Sequence, residues 1–238
     1  MYNTRKLCIL LYCLFIVAIT SKSQTITGLQ GGINISSLAG PKSFEENKFR
    51  FGTSFYAFLD FPLGNFSILS LESGAAISQQ GMSHIKYIDN IGYRTKLTVK
   101  NKLNYIFMPV YLREDLTDFY TKIGPYVGYL FSAESFIHEE DIQSFKTIRD
   151  SSYYNNVFVN NLKKYDMGLS FGCGYVHFFQ PGPRRHRGRG RSRLTPVITI
   201  DLRYNIGLLK IGYDQGLPNS NLRNQTFTIG VTITSVRN

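Results

Sequence analysis

Between Pro196 and Leu208 the chain alternates without a break. Ile198, Ile200, Leu202, Tyr204, Ile206 and Leu208 fall on one face, and Val197, Thr199, Asp201, Arg203, Asn205 and Gly207 fall on the other. A period of two marks a β-strand, because successive side chains point to opposite sides of a sheet. A half-buried strand of a soluble sheet also has two faces, but its polar face looks at bulk water. Here an unbroken apolar face opposes one that carries a carboxylate and a guanidinium. That is the arrangement expected of a strand with lipid outside and a polar lumen inside. One such strand decides nothing; the number of its companions does.

Seven further segments repeat the pattern: about Thr25 to Leu38, Phe49 to Phe61, Phe66 to Gln80, Lys102 to Arg113, Phe119 to Ser132, Tyr165 to Phe178 and Asn224 to Val236. In the second, Phe51, Phe55 and Leu59 oppose Arg50, Tyr56 and Asp60. In the third, Leu71, Ala75 and Ile77 oppose Glu72, Ser78 and Gln80. The fifth sets Ile123 and Val127 against Lys122 and Tyr126, and the sixth sets Met167 and Leu169 against Asp166 and Ser170. The fourth is apolar on both faces around Pro109, and its aromatic face (Tyr105, Phe107, Tyr111) is expected to point outward. No stretch has helical periodicity.

The connections are sorted by parity. Those after the second and fourth strands are short, at Pro62 to Asn65 and Glu114 to Asp118. Those at about 39–48, 81–101, 133–164 and 209–223 are long, and only Phe179 to Thr195 breaks the rule. Short periplasmic turns and long extracellular loops are the mark of transmembrane barrels. A sheet edge left open in lipid strands backbone N–H and C=O groups, so the last strand must close on the first. The expected fold is therefore all-β: an eight-stranded antiparallel up-and-down transmembrane β-barrel. At this strand number, side chains just fill the interior, so a plugged barrel is expected and not an open pore.

The chain has 238 residues, with 27 Lys and Arg against 16 Asp and Glu. Arg5 and Lys6, the apolar run Leu7 to Thr20, and Ser21 and Ser23 have the form of a cleavable export signal over residues 1–23, leaving residues 24–238 as the barrel domain. Cys8 and Cys13 leave with it, so Cys173 remains alone and no disulfide framework or thiolate metal site is expected.

Two groups of residues carry candidate chemistry. The first is the inward charges Arg50, Asp60, Glu72, Lys122, Asp166, Asp201 and Arg203, which cannot stay unpaired away from water and should form an ion-pair network. Glu72, Asp201 and Arg203 are expected at its centre, as a structural plug. The second is the periplasmic run Arg184-Arg185-His186-Arg187-Gly188-Arg189-Gly190-Arg191-Ser192-Arg193. Such a run would suit nucleic acid, but an exported chain does not meet that partner. Anionic lipid, cell wall or an acidic patch on a periplasmic protein is the expected contact. The four histidines, His84, His138, His177 and His186, have no Ser or acid at a telling spacing. No phosphate-binding loop, metal-ligand cluster or cofactor motif is present. The expectation is a non-enzyme without metal or cofactor.

Several strand motifs carry a family resemblance. They are Gly31-Gly32-Ile33-Asn34-Ile35-Ser36, Leu71-Glu72-Ser73-Gly74, Tyr105-Ile106-Phe107-Met108-Pro109-Val110, Ile123-Gly124-Pro125-Tyr126-Val127-Gly128-Tyr129, Gly168-Leu169-Ser170-Phe171-Gly172-Cys173-Gly174 and Asp201-Leu202-Arg203-Tyr204-Asn205-Ile206-Gly207-Leu208. In order and spacing the chain resembles the PorT-like outer-membrane β-barrels of Bacteroidetes-type bacteria. The Arg-rich turn is not part of the common pattern. The resemblance implies residence in the bacterial outer membrane and, in the founding member, a part in type IX protein secretion. The leading expectation is thus an accessory or structural component of secretion that touches outer-membrane lipid and a periplasmic or secretion-machinery protein. A narrow solute channel and a lipid-modifying barrel enzyme are the alternatives.

Overall fold

The computed structural model describes residues 25–39, 46–63, 68–143, 146–154, 160, 162–178, 194–211 and 222–237. These residues form ten strands: β1 (Ile26–Ala39), β2 (Glu46–Lys48), β3 (Arg50–Pro62), β4 (Leu69–Asn90), β5 (Tyr93–Leu116), β6 (Phe119–Gln143), β7 (Lys146–Tyr154), β8 (Tyr165–Phe178), β9 (Leu194–Gly207) and β10 (Arg223–Arg237). Eight of them hydrogen-bond in a ring. The order runs β4, β3, β1, β10, β9, β8, β6, β5, and a β4–β5 pairing returns it to the start. All pairs are antiparallel, and closure between first and last strands holds from Thr27 opposite Ser235 to Ala39 opposite Arg223. Both the expected export signal, residues 1–23, and the Arg184 to Arg193 run lie outside the described residues.

Alternation decides which side of the wall each residue meets. On β9, Asp201 and Arg203 are buried while Ile200, Leu202 and Tyr204 are exposed. On β1, Gln30 and Asn34 are buried while Leu29 and Ile33 are exposed. Exposed aliphatic and aromatic side chains also line the outside of β3, β6, β8 and β10. In water this inversion of the usual pattern would be ruinous; in a bilayer it is what the solvent selects.

Two expectations fail here. Residues 81–101 and 133–164, expected as loops, are largely strand. β4, β5 and β6 run for 22, 24 and 25 residues, where a tilted membrane strand needs about 9–11. Roughly 11–16 residues of each therefore lie beyond what a span needs, on the order of 40–50 Å at the rise of a strand. There they form a sheet ordered β2, β4, β5, β6, β7, capped by the two-residue turn Ile91-Gly92. Its faces are not sorted into lipid-facing and lumen-facing sets, so the alternation that marks the barrel is missing. Cross-strand pairs sustain it instead: Arg94 with Asp89 at 2.6 Å, Lys96 with Glu140 at 2.7 Å, and Thr95 with Asp141 at 2.6 Å. Gly81, at φ +145°, marks the level where this sheet leaves the barrel. Its N–H donates to Ser36 Oγ and its carbonyl accepts from the same hydroxyl, both at 3.0 Å. Opposite, β5 and β6 shift register between Asn104 and Tyr105.

The second correction concerns β5. Tyr105, Phe107 and Tyr111, expected outside, point into the lumen and are 0%, 5% and 1% exposed; Ile106, Met108 and Leu112 take the lipid face. A phenol or phenyl ring suits either side, so polarity cannot assign this strand. Pro109 breaks the β4–β5 ladder near Gly74 and Ala75, and the Ser73 hydroxyl donates to the Pro109 carbonyl at 3.0 Å.

Candidate functional site

The lumen is stacked in three tiers. The lowest, nearest the short turns, is charged. Lys122 on β6 stands at its centre, with Nζ 3.1 Å from Glu72 Oε1 on β4 and 2.9 Å from Asp201 Oδ2 on β9. The rings of Tyr111, Tyr120 and Tyr56 surround the ammonium at 5.1, 5.4 and 6.0 Å. The Tyr120 hydroxyl donates to Asp201. Arg203, two residues along the same face from Asp201, lies over the Tyr56 ring at 5.4 Å. Arg113 on β5 approaches Asp60 and Glu72 at 3.5 Å each and pairs with Asp115 at the rim at 2.7 Å. Its guanidinium rests on the Tyr120 ring at 4.0 Å. Carboxylates at 60, 72 and 201 thus share this tier with cations at 113, 122 and 203, three charges of each sign.

The fit depends on small neighbours. A Cβ added at Gly172 would lie 2.9 Å from the Lys122 side chain, and one at Gly174 would lie 2.4 Å from the Tyr120 ring. These β8 glycines are opposite Lys122 and Tyr120 in the β6–β8 register, so each large inward group fills the space its neighbour leaves.

The middle tier is neutral and polar apart from one acid. Asn34 Nδ2 donates to Ser78 Oγ at 2.8 Å, and its carbonyl accepts from Thr228 at 2.8 Å. Asp166 accepts from Asn224 Nδ2 at 2.8 Å and from the Tyr126 hydroxyl at 3.3 Å. Toward the extracellular mouth the lumen is mostly apolar: Leu38, Met82, Leu103, Leu130, Ile211 and Leu222 are buried there as part of the hydrophobic cluster, with the Arg50 guanidinium beside them. The opposite end holds a small recess, about 190 Å³, whose lining includes Arg113, Asp115, Tyr120, Lys122 and Thr199. A larger concavity of about 800 Å³ faces the bilayer between Leu29, Leu59, Phe61, Met108 and Ile233 and has no charged side chain in its lining.

The structure therefore brings Glu72, Lys122, Asp201, Arg203 and Asp60 together, and places two candidates elsewhere. Asp166 sits one tier up. Arg50 lies at the extracellular end, where Nη1 donates to the Asn101 carbonyl at 3.0 Å. Arg113 was missed because it shares a face with Tyr105, Phe107 and Tyr111, the face of the fourth strand expected to point outward; once that face is turned inward, its parity places it in the lumen. Outside the barrel, His138 meets Ser152 Oγ at 2.9 Å and Glu140 Oε1 at 3.2 Å, a pairing across β6 and β7 that sequence spacing hid. Among the described residues no group of His, Cys, Asp and Glu is placed to hold a metal ion.

Residues 23–212 match the family model described as outer membrane protein beta-barrel domain. No curated protein is significantly similar in sequence. Among solved structures the chain is similar to Neisserial surface protein A, with 11% identity, a TM-score of 0.41, and 89% of this chain and 97% of that one covered. It is also similar to Ail, the attachment invasion locus protein of Yersinia pestis, with 10% identity, a TM-score of 0.37, and 89% and 99% covered. The family match stands without them and agrees with the ring of eight strands. The chain belongs to the outer membrane protein beta-barrel domain family and resides in the bacterial outer membrane.

Proposed function

We propose that this barrel passes no solute and catalyses no reaction, and that it works through its surfaces as an accessory component of protein secretion of the type IX kind. The observation that carries the first half is the filled lumen. An ion cluster with three charges of each sign occupies one end and a mostly apolar plug occupies the other. A solute path would have to break buried ion pairs, at several kcal/mol for each charge left alone. Support for the second half is the resemblance of the strand motifs to PorT-like barrels. In this reading the Arg184 to Arg193 run touches an acidic surface of a periplasmic partner, and the contact weakens with salt.

The test is the profile of secreted proteins from three strains: wild type, a deletion, and one with the six arginines between 184 and 193 replaced by Gly and Ser. Loss of secreted proteins in both altered strains is the expected result. Normal secretion in both would overturn the secretion reading and leave the sealed barrel untouched.

A further inference from the structure

The extracellular rim carries cations that the lumen network does not use. Lys163, Lys164, Lys210 and Arg223 are all exposed, and they lie on adjoining stretches of backbone. The Lys163 N–H donates to the Ile211 carbonyl at 2.7 Å, the Ile211 N–H donates to the Leu222 carbonyl at 2.9 Å, and Leu130 donates to the Lys164 carbonyl at 2.7 Å. These bonds continue the barrel wall one step past β8, β9 and β10. Ile211 and Leu222 turn inward to the apolar plug, so their chain neighbours Lys210 and Arg223 point away from it.

Just toward the membrane from this group the wall is apolar and exposed: Tyr165, Met167, Leu208 and Leu209. Tyr165 packs against Tyr129 with ring centroids 5.6 Å apart, an aromatic pair suited to the membrane–water interface. The cations therefore stand at headgroup height. No ion pair forms to any of the four among the described residues. Asp166, two residues from Lys164, faces the lumen and is occupied by Asn224 and Tyr126. Cations just above a lipid-facing belt draw anionic headgroups.

We infer that Lys163, Lys164, Lys210 and Arg223 form a seat for the phosphate groups of a phosphorylated glycolipid of the outer leaflet, whose acyl chains lie along Tyr165, Leu208 and Leu209. This rests on the orientation of the barrel and not on the secretion reading. The site is built from three neighbouring strand ends, so it presents several cations to one headgroup and favours a lipid with two phosphates over one with none.

The test uses the full-length barrel in nanodiscs, with binding of diphosphorylated lipid A and of the same lipid stripped of phosphate read by native mass spectrometry. The wild type should retain the phosphorylated form selectively. K163Q/K210Q/R223Q should retain it on the order of a hundredfold less, while K163R/K210R should retain it as the wild type does. Heat-modifiable migration on gels confirms that each variant is folded. Equal retention of the dephosphorylated lipid, or no loss in the triple Gln variant, would overturn the seat. Pyrophosphate bound as tightly as the lipid would overturn its assignment to a lipid, and capture of an acidic protein in preference to lipid A would do the same.

Discussion

Two Lys–carboxylate contacts in this molecule are alike in geometry and opposite in consequence. Lys122 meets Glu72 and Asp201 at 3.1 and 2.9 Å with side chains at most 2% exposed. Lys96 meets Glu140 at 2.7 Å in the sheet beyond the bilayer, with side chains 28% and 24% exposed. In the lumen, water cannot replace a lost partner, so the pair is a condition of folding. On the extracellular sheet water replaces it readily, and the pair only biases strand alignment.

Breaking the lumen pair should have the largest effect. Lys122→Met leaves Glu72 and Asp201 without their shared cation and should lower unfolding stability in lipid vesicles by about 3–5 kcal/mol. Adding Glu72→Gln and Asp201→Asn to it should recover part of the loss. A triple variant no more stable than K122M would show that the charges are not what the lysine answers. Packing comes next. Gly174→Val drives a side chain into the Tyr120 ring and its bond to Asp201, with an expected cost of about 1–3 kcal/mol by urea titration. Gly92→Ala, at the exposed tip of the extracellular hairpin, meets no atom within 4 Å but sits at φ +87°. It should strain that turn alone and leave barrel unfolding unchanged.

The surface pair should matter least, below about 1 kcal/mol for Glu140→Gln, and its signature is pH. The hydrogen bond from Lys96, followed by that from His138, holds the Glu140 carboxyl below the usual carboxylate range, and Glu140 holds Lys96 above the usual ammonium range. A depressed acid contributes stability above its unfolded value and loses it as pH falls through the folded one. A raised base contributes below its unfolded value and loses it as pH rises through the folded one. Hydrogen-exchange protection of β6 and β7, corrected for intrinsic rates, should be level through neutral pH and decline at both extremes. In Glu140→Gln the acid-side decline should shrink. An acid-side decline unchanged in Glu140→Gln would take the control away from this carboxylate.

The same contrast explains what the sequence could disclose. The walls of β1, β9 and β10 were legible because lipid on one side and a polar lumen on the other force strict alternation, as at Ile200 to Tyr204 against Asp201 and Arg203. β5 was not, because its lumen side is filled by Tyr105, Phe107 and Tyr111, rings that suit either environment. The extracellular sheet was illegible because neither of its faces meets lipid. Its strands are held by partners such as Asp89 with Arg94, whose pairing becomes visible only once the strands are aligned. In the network, parity gave the inward face of Glu72, Lys122 and Asp201. It did not give height along the barrel, which separates Arg50 and Asp166 from them.

The claim on which the account turns is that the lumen is sealed. Its most direct test is single-channel recording of the purified, folded barrel in planar bilayers at neutral pH and molar salt. A sealed lumen gives a baseline without conductance steps for the wild type. Steady ohmic steps from the wild-type protein, at a frequency that scales with the amount inserted, would contradict it and make the lumen a path.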